Sequence, residues 1–331
     1  MKETLMLASA LLLALQQTPA MADSCGVQLN IGSWNIEWLG SPVRNKIGKQ
    51  TPADIASYIE ASNVDVLGLQ EISANRRMDG KANNLQLDKA FALLNGRGAD
   101  WQYRLFKKHP QASSPNAQWT GLAWDNNKVQ ITGGPWNVAG VDEQRRAELL
   151  GADSRKVALN RTPYAVKLSA GEGRSDFLFV PLHLKANNGK GASEAQRELE
   201  VHLILKGLEP VIAHEGEKDL IMMGDTNMLS TGEPGIKLLQ AYGMKDCNSS
   251  DVGTWLTTEE RFSDAPFDRF FVMRDQPETQ STCNADSQGS MAFNVMTPGD
   301  WEPGMDAKTF RERLSDHQMI RTSLCIGADD D

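Results

Sequence analysis

"IMMGDTNM", Ile221–Met228, is the stretch on which the fold turns. Three large apolar residues lead directly into Gly-Asp-Thr-Asn. Gly, Asp and Asn are turn formers, so a buried strand ending in a turn is the simplest reading. The sharper reading is a strand that delivers a carboxylate and an amide to a site. On an extended segment Asp225 and Asn227 point the same way. Gly224 would let the backbone turn and let a substrate come close.

Outward from this stretch, strand-like and helix-like segments alternate. VQLNIGSWNIEWLG (27–40), VDVLGLQEI (64–72), WQYRLFKK (101–108), GLAWDNNKV (121–129) and TPYAVKLSA (162–170) read as strands. So do FLFVPLHLKAN (177–187), DLIMMGDTNM (219–228), FDRFFVM (267–273) and QMIRTSLCI (318–326). TPADIASYIEASN (51–63) predicts a helix capped by Thr51 with Pro52 at its first position. LQLDKAFALLNGRG (85–98) has helical spacing and a glycine stop, and 193–216 is an amphipathic helix with Ser193 as cap. QASSPNAQ (111–118) and SQGSMAFNVMTPGDWEPG (287–304) read as loops, and Arg274–Leu314 as an irregular surface excursion. Strands and helices mixed in one uninterrupted chain suggest a layered α/β domain around central sheets.

Several strands end in polar residues where an apolar core would not place them: Asn35, Glu71, His183, Asp225 with Asn227, and Asp268. Ser315, Asp316 and His317 stand just before the last strand. Buried carboxylates are costly unless paired or bound to a metal, so these ends together suggest one site. Glu71, Asn35 and Asp316 offer hard oxygen donors, which suit Mg²⁺, Mn²⁺ or Ca²⁺ rather than zinc. Asp225 and Asn227 can orient a water and donate to a phosphoryl oxygen. His183 and His317 are candidates to carry charge near a phosphate, with Asp268 able to keep His317 cationic. Metal, imidazolium and oriented water describe attack on a phosphate ester.

The motifs NIEWLG, LQEI, RTPYAVKL, PLHLKAN, MGDTNM, FDRFFV and SDHQMI stand in the order found in the endonuclease/exonuclease/phosphatase superfamily, which the chain resembles from Val27 to about Ile326. The resemblance implies a four-layer α/β sandwich, with two central mixed β-sheets packed face to face and helices outside. It implies a metal-dependent phosphoric ester hydrolase using Mg²⁺, with Mn²⁺ or Ca²⁺ as alternatives. By position, Asn35 and Glu71 resemble the metal-site pair, with Asp316 beside them. His183 resembles the first catalytic histidine, Asp225 the residue that orients the water, and Asn227 its phosphate-binding neighbour. Asp316 and His317 resemble the closing pair, and Asp268 the carboxylate that holds the histidine. Arg161 resembles a phosphate-contacting arginine of the secreted deoxyribonucleases, and the arginine after Asp268 also follows that branch. The glutamate that supports the first histidine in that branch has no counterpart between Asn75 and Asn116. Tyr103 and Tyr164 are candidates for the tyrosine of the abasic-site enzymes.

Other positions carry bland alternatives. Lys185, Asn187 and Lys190 line a substrate groove or form a solvated loop. Asp268 and Arg269 allow a plain ion pair. Trp301 and Phe293 suit local packing better than membrane contact. His109, His202 and His214 take no role.

Met1–Ala22 has an early lysine, an apolar run from Leu5 to Leu15 and small residues at Ala20 and Ala22, the pattern of a secretory signal. Residues 23–331 then form a single domain, exported to the periplasm or secreted, without a stable membrane anchor. Cys25, Cys247, Cys283 and Cys325 fit an oxidising compartment and allow three pairings. Cys25–Cys325 joins the ends of the mature chain and Cys247–Cys283 joins its C-terminal third, and these are the expected pairs. The formal charge of −9 argues against avid charge-driven binding to a nucleic-acid backbone. It leaves room for an enzyme that touches phosphates through a metal and a few arginines. The expected function is a nuclease acting on DNA or RNA. The alternatives are a phosphatase or sphingomyelinase-like phospholipase C acting on a small phosphoester or lipid headgroup, and an inactive binding module. Arg76, Arg77 and Lys81 support the nuclease weakly.

Overall fold

The structure is a computed structural model that describes residues 27–76, 82–108, 118–151, 159–187, 192–256, 265–280, 282–283 and 291–329. The signal at 1–22, Cys25, Arg77, Lys81, His109 and Lys190 lie outside these residues.

In chain order the elements begin with β1 (Val27–Leu39), α1 (Pro52–Ser62), β2 (Val66–Ile72), β3 (Asn75–Arg76), β4 (Ala82–Asn83) and α2 (Leu85–Asn95). β5 (Trp101–Phe106), β6 (Trp119–Asp125), β7 (Gln130–Asn137), α3 (Glu143–Leu150), β8 (Tyr164–Ser169), β9 (Asp176–His183) and α4 (Ala192–Glu215) follow. Next come β10 (Leu220–Asp225), α5 (Pro234–Ala241), β11 (Met244–Asp246), β12 (Asp268–Met273) and α6 (Pro277–Gln280). The chain closes with β13 (Asn294–Met296), α7 (Pro298–Trp301), α8 (Ala307–Arg313) and β14 (Met319–Ile326).

Two six-stranded sheets form, in the orders β13-β14-β1-β2-β6-β5 and β11-β12-β10-β9-β8-β7. The β1–β2 and β9–β10 pairs are parallel, and the other neighbours are antiparallel. Between the sheets lie Leu29, Ile31, Val66 and Leu122 from one, and Val166, Phe179, Met223 and Phe270 from the other. The outer face of the first sheet packs on α1, α2 and α8 through Trp34, Tyr58, Phe91 and Phe310. The outer face of the second packs on α4 and α5 through Val180, Leu182, Met222, Ile204 and Ile236. This is the four-layer sandwich with two mixed sheets at its centre. Strands covered on both faces read as continuous apolar runs, which is why LIMMG and FLFV were recognisable.

Local chemistry explains the helix starts. Thr51 Oγ1 accepts from Asp54 N at 3.1 Å, with Pro52 at the first helical position. Asn84 caps α2 by accepting from Gln86 N and Leu87 N. Ser193 does not cap α4, because the helix already starts at Ala192 and buries Ser193 inside it. The excursion expected over Arg274–Leu314 also differs, since α6, β13, α7 and α8 lie within it. Their shortness is the reason, because three to seven residues show no readable period. Trp301 packs into the core and donates to Ser57 Oγ, and Phe293 packs edge-on against Phe270.

Cys247 and Cys283 form a disulfide with Cα atoms 5.4 Å apart. Cys325 is also disulfide-bonded, and its expected partner Cys25 falls outside the described residues. Among the described residues, no helix is long and apolar enough to cross a membrane.

Candidate active site

Sheet register gathers the polar ends. Asp225 pairs with His183 on one side and with Asp268 on the other, so three strands of the second sheet end in one row. Opposite this row, β1 and β2 of the first sheet break their pairing between Asn35 and Leu39, and β2 breaks from β6 between Leu69 and Ile72. Such bulges re-aim side chains. Asn35 and Glu71 stand at these two irregularities, and Glu71 and Trp38 have φ of 61° and 57°. Non-glycine residues rarely adopt that conformation, and it persists only where surroundings enforce it. Here Trp38 N donates to Glu71 Oε2 at 3.2 Å.

Asp225 is the hub. Its Oδ2 accepts from Asn35 Nδ2 at 3.0 Å and faces His183 Nε2 at 3.4 Å and His317 Nε2 at 3.8 Å. Glu71 Oε1 lies 3.7 Å from the same His183 nitrogen. Asp225 Oδ1 accepts from Asn227 N at 3.0 Å, and Asn227 has φ of 55°. Asp225–Asn227 is therefore a turn and not the extended pair expected from the sequence. Asn227 Nδ2 donates to Leu184 O at 3.3 Å. Gly224 also has a different cause from the expected one. A Cβ there would lie 2.1 Å from Leu182 O, so the glycine admits the neighbouring strand rather than a substrate.

His317 is fixed from behind. Its Nδ1 lies 2.7 Å from Asp268 Oδ2, which also accepts from Thr254 Oγ1 at 2.6 Å. Trp34 Nε1 donates to His317 O, and Ser315 Oγ accepts from His317 N while donating to Asn35 O. Arg269 points away from Asp268 and pairs with Asp246 and Asp251, as alternation along β12 requires.

The two histidines differ in charge. Burial lowers the His183 pKa well below its usual value, and the Arg161, His317 and Lys108 charges push it the same way. His183 is thus neutral, contrary to the expectation of charge on both. Burial also works against a charged His317, but the Asp268 and Asp225 carboxylates and the Asp268 hydrogen bond outweigh it and raise its pKa well above normal. Among the described residues, His183 Nδ1 is buried without a hydrogen-bond partner, so nothing there replaces the supporting glutamate of the deoxyribonuclease branch.

Burial, then the Asp316 charge, raise Glu71 to about 7 against the pull of Arg161 and His317. Burial raises Asp225 to about 6, with Asp268 adding and His317, Asn35 and Arg161 opposing. Carboxylates so short of compensating positive charge suit a hard divalent cation. Glu71 is the best-placed donor, with Asp316 close enough to act on it. Asn35 engages Nδ2 with Asp225 and Oδ1 with Glu37 N at 3.1 Å, leaving one amide-oxygen lone pair. Asp225, Asp268 and His317 also bring donor atoms within 4.8 Å of one another. That trio already satisfies itself through the Nδ1–Asp268 hydrogen bond, so Glu71 fits a cation better.

Arg161 Nη1 donates to His183 O and Leu184 O, and Nη2 to Gln118 Oε1. Its fork therefore holds backbone as well as lending charge. Lys185 and Asn187 are half-buried where the chain leaves β9. Tyr103 bonds to Asn84 and Asp88 at α2, and Tyr164 stacks on Phe106, so neither joins the site. Sequence reasoning missed Thr254, and also Glu37 and Arg311. Arg311 Nη2 meets Glu37 Oε1 at 2.7 Å and Asp316 Oδ2 at 3.6 Å. EW in NIEWLG placed Glu37 beside Asn35, but only the fold pairs it with Arg311.

Residues 32–317 match the model of the endonuclease/exonuclease/phosphatase family. Comparison with curated proteins gives no match. A solved family protein from Bacteroides thetaiotaomicron is 14% identical, with TM-score 0.60, covering 92% of this chain and 99% of its own. A mannosyl-6-phosphatase from the same organism is 13% identical, with TM-score 0.55, covering 89% and 99%. TDP2 from D. rerio, complexed with a single-strand DNA product, is 14% identical, with TM-score 0.51, covering 91% and 99%. At these identities the structural likeness establishes the fold.

Proposed function

Because the chain belongs to the endonuclease/exonuclease/phosphatase family and is a metal-dependent phosphoric ester hydrolase, we propose that it is a phosphodiesterase cleaving DNA or RNA. The observation that carries this reading is Asp225 Oδ2, held by Asn35 and facing both histidines at 3.4 and 3.8 Å.

Glu71, with Asp316 and Asn35 beside it, would hold Mg²⁺, or Mn²⁺ or Ca²⁺ in its place. A cation held there would supply positive charge to the phosphoryl group. Asp225 orients the attacking water and accepts its proton at Oδ2 as the water oxygen bonds to phosphorus, the P–O bond to the leaving oxygen breaks, and that oxygen takes a proton from solvent. Cationic His317 donates from Nε2 to a phosphoryl oxygen, while Asp268 at Nδ1 fixes its tautomer. Neutral His183 and the Asn227 amide flank the same phosphate. Arg161 lends charge and braces the His183 backbone.

The site stands at the joined ends of β9, β10 and β12, with Asn35 and Glu71 brought to it by the bulges. The TDP2 relative in complex with DNA supports a nucleic-acid substrate. A phosphomonoester is the second reading, favoured by the fold shared with a mannosyl-6-phosphatase. We also read Met1–Ala22 as an export signal, residues 23–331 as one domain, and the destination as the periplasm or medium. The Cys247–Cys283 disulfide supports an oxidising compartment.

The test is to incubate the protein and its His183→Ala variant with plasmid DNA, RNA, phosphomonoesters and sphingomyelin, each with Mg²⁺, Mn²⁺ or EDTA. Metal-dependent nicking lost in the variant is expected. Release only from a monoester or lipid would replace the nuclease reading.

A further inference from the structure

Two charged residues on α4 are buried beneath the site, and no catalytic role uses them. Arg197 is 0% exposed and Glu200 1%. Three positions apart, they share one helix face. Glu200 Oε1 accepts from Asn160 N at 2.8 Å and Asn160 Nδ2 at 3.0 Å, next to Arg161. Its Oε2 accepts from Lys185 N at 2.7 Å. Arg197 Nη1 donates to Lys185 O at 3.3 Å. Its Nε and Nη2 grip Glu233 at 2.9 and 2.7 Å, and Glu233 Oε1 also accepts from Leu229 N, just past Asn227.

His183 O accepts from Arg161. Leu184 N donates to Asp225 O at 3.0 Å, and Leu184 O accepts from Asn227 and Arg161. Lys185 gives its N–H to Glu200 and receives Arg197 at its carbonyl. The peptides that carry His183, Asp225, Asn227 and Arg161 are thus tied to one another and then to α4.

Buried ionic groups are poor stabilisers, since apolar residues of similar size usually serve a core as well or better. Placing Arg197, Glu200 and Glu233 here is explained by precision instead. A displacement of about 1 Å at reacting groups can lower a rate about 100-fold. We infer that Arg197 and Glu200 on α4, with Glu233 at the N-cap of α5, are positioning residues, a clamp that fixes the two strand-end loops at the reacting phosphate. This rests on the proposed placement of His183, Asp225 and Asn227 there.

Two variants test it. Arg197→Met/Glu233→Leu removes an ion pair and replaces it with apolar volume. Because it also removes the partners of Lys185 O and Leu229 N, its Tm is expected to fall by no more than a few degrees, while kcat for a chromogenic phosphodiester, measured where both proteins are fully folded, falls at least ~10-fold with KM little changed. Wild-type kcat in this variant overturns the clamp, as does a kcat loss that only follows loss of folded protein. Glu200→Gln leaves one acceptor and turns an amide donor toward Lys185 N–H or the Asn160 donors. Hydrogen exchange of the Lys185 or Asn160 amide is expected to quicken at least ~10-fold, with the Val180 amide inside β9 unchanged. Unchanged protection at both loops, or uniform quickening along β9, overturns it. The exchange result stands even if the wild type cleaves no phosphoester, an outcome that would refute the proposed function alone.

Discussion

Gly224 and Thr254 show how single residues serve the site without touching a substrate. Gly224 has φ of 147° and no room for a Cβ beside Leu182 O. Gly224→Ala is expected to destabilise the fold by about 3 kcal/mol or more, read as a lower urea midpoint. Thr254 Oγ1 gives Asp268 its second hydrogen bond, at 2.6 Å, behind His317. A hydrogen bond to a charged group contributes about 1.5–3 kcal/mol, so Thr254→Val is expected to reduce kcat about tenfold or more. An unchanged kcat would show that Asp268 holds the histidine unaided. Asp225 and His183 were visible in the sequence because each interrupts an apolar run. Thr254 was not, because it sits in an aperiodic segment and meets Asp268 only once the fold brings the two together. His183 was placed by its motif, yet its lowered pKa follows first from burial and then from Arg161, His317 and Lys108, which only folding brings about.

At the scale of elements, the covered strands were legible, and of the edge strands only β5 was, whereas β7, β11 and β13 were not. β10 and β9 are apolar throughout and announce themselves. β7, QITGGPWN, is an exposed edge strand carrying two glycines and a proline, residues that deny a strand in sequence but are tolerated at an edge. α3, EQRRAELL, buries only Leu150 and so has no apolar stripe to read. The bulges that aim Asn35 and Glu71 were also invisible, since they depend on two strands at once. Asn84 joins both features: it caps α2, and its Nδ2 donates to Leu39 O and Ser73 O just beyond the bulges. Asn84→Ala is expected to remove about 2 kcal/mol of stability in chemical denaturation, from a lost cap and lost buried hydrogen bonds. A loss below about 0.5 kcal/mol would mean the bulges are held elsewhere.

Across the whole molecule, the site exists only where the two sheets meet, so their alignment matters. Cys247 lies next to β11, and its N donates to Phe270 O in the second sheet; Cys283 N donates to Thr322 Oγ1 in the first. Their disulfide closes a separation of 36 residues and spans the two sheets. Replacing both with serine is expected to lower the unfolding free energy by about 2–4 kcal/mol, measured in denaturant without reductant. The four layers were legible through the ordered motifs, whereas the cross-sheet contacts of Asn35 with Asp225 and of Asp268 with His317 were not derivable from spacing. They follow from the register of strands far apart in sequence.

The central claim is that Asp225 activates the water in a metal-dependent phosphoester cleavage. The most direct test is the single-turnover rate of phosphodiester cleavage in saturating Mg²⁺ for wild type and Asp225→Asn, with folding matched by Tm. The account predicts a fall of at least ~100-fold at an equal Tm. A rate within a few-fold of wild type would contradict it and remove Asp225 from the chemistry.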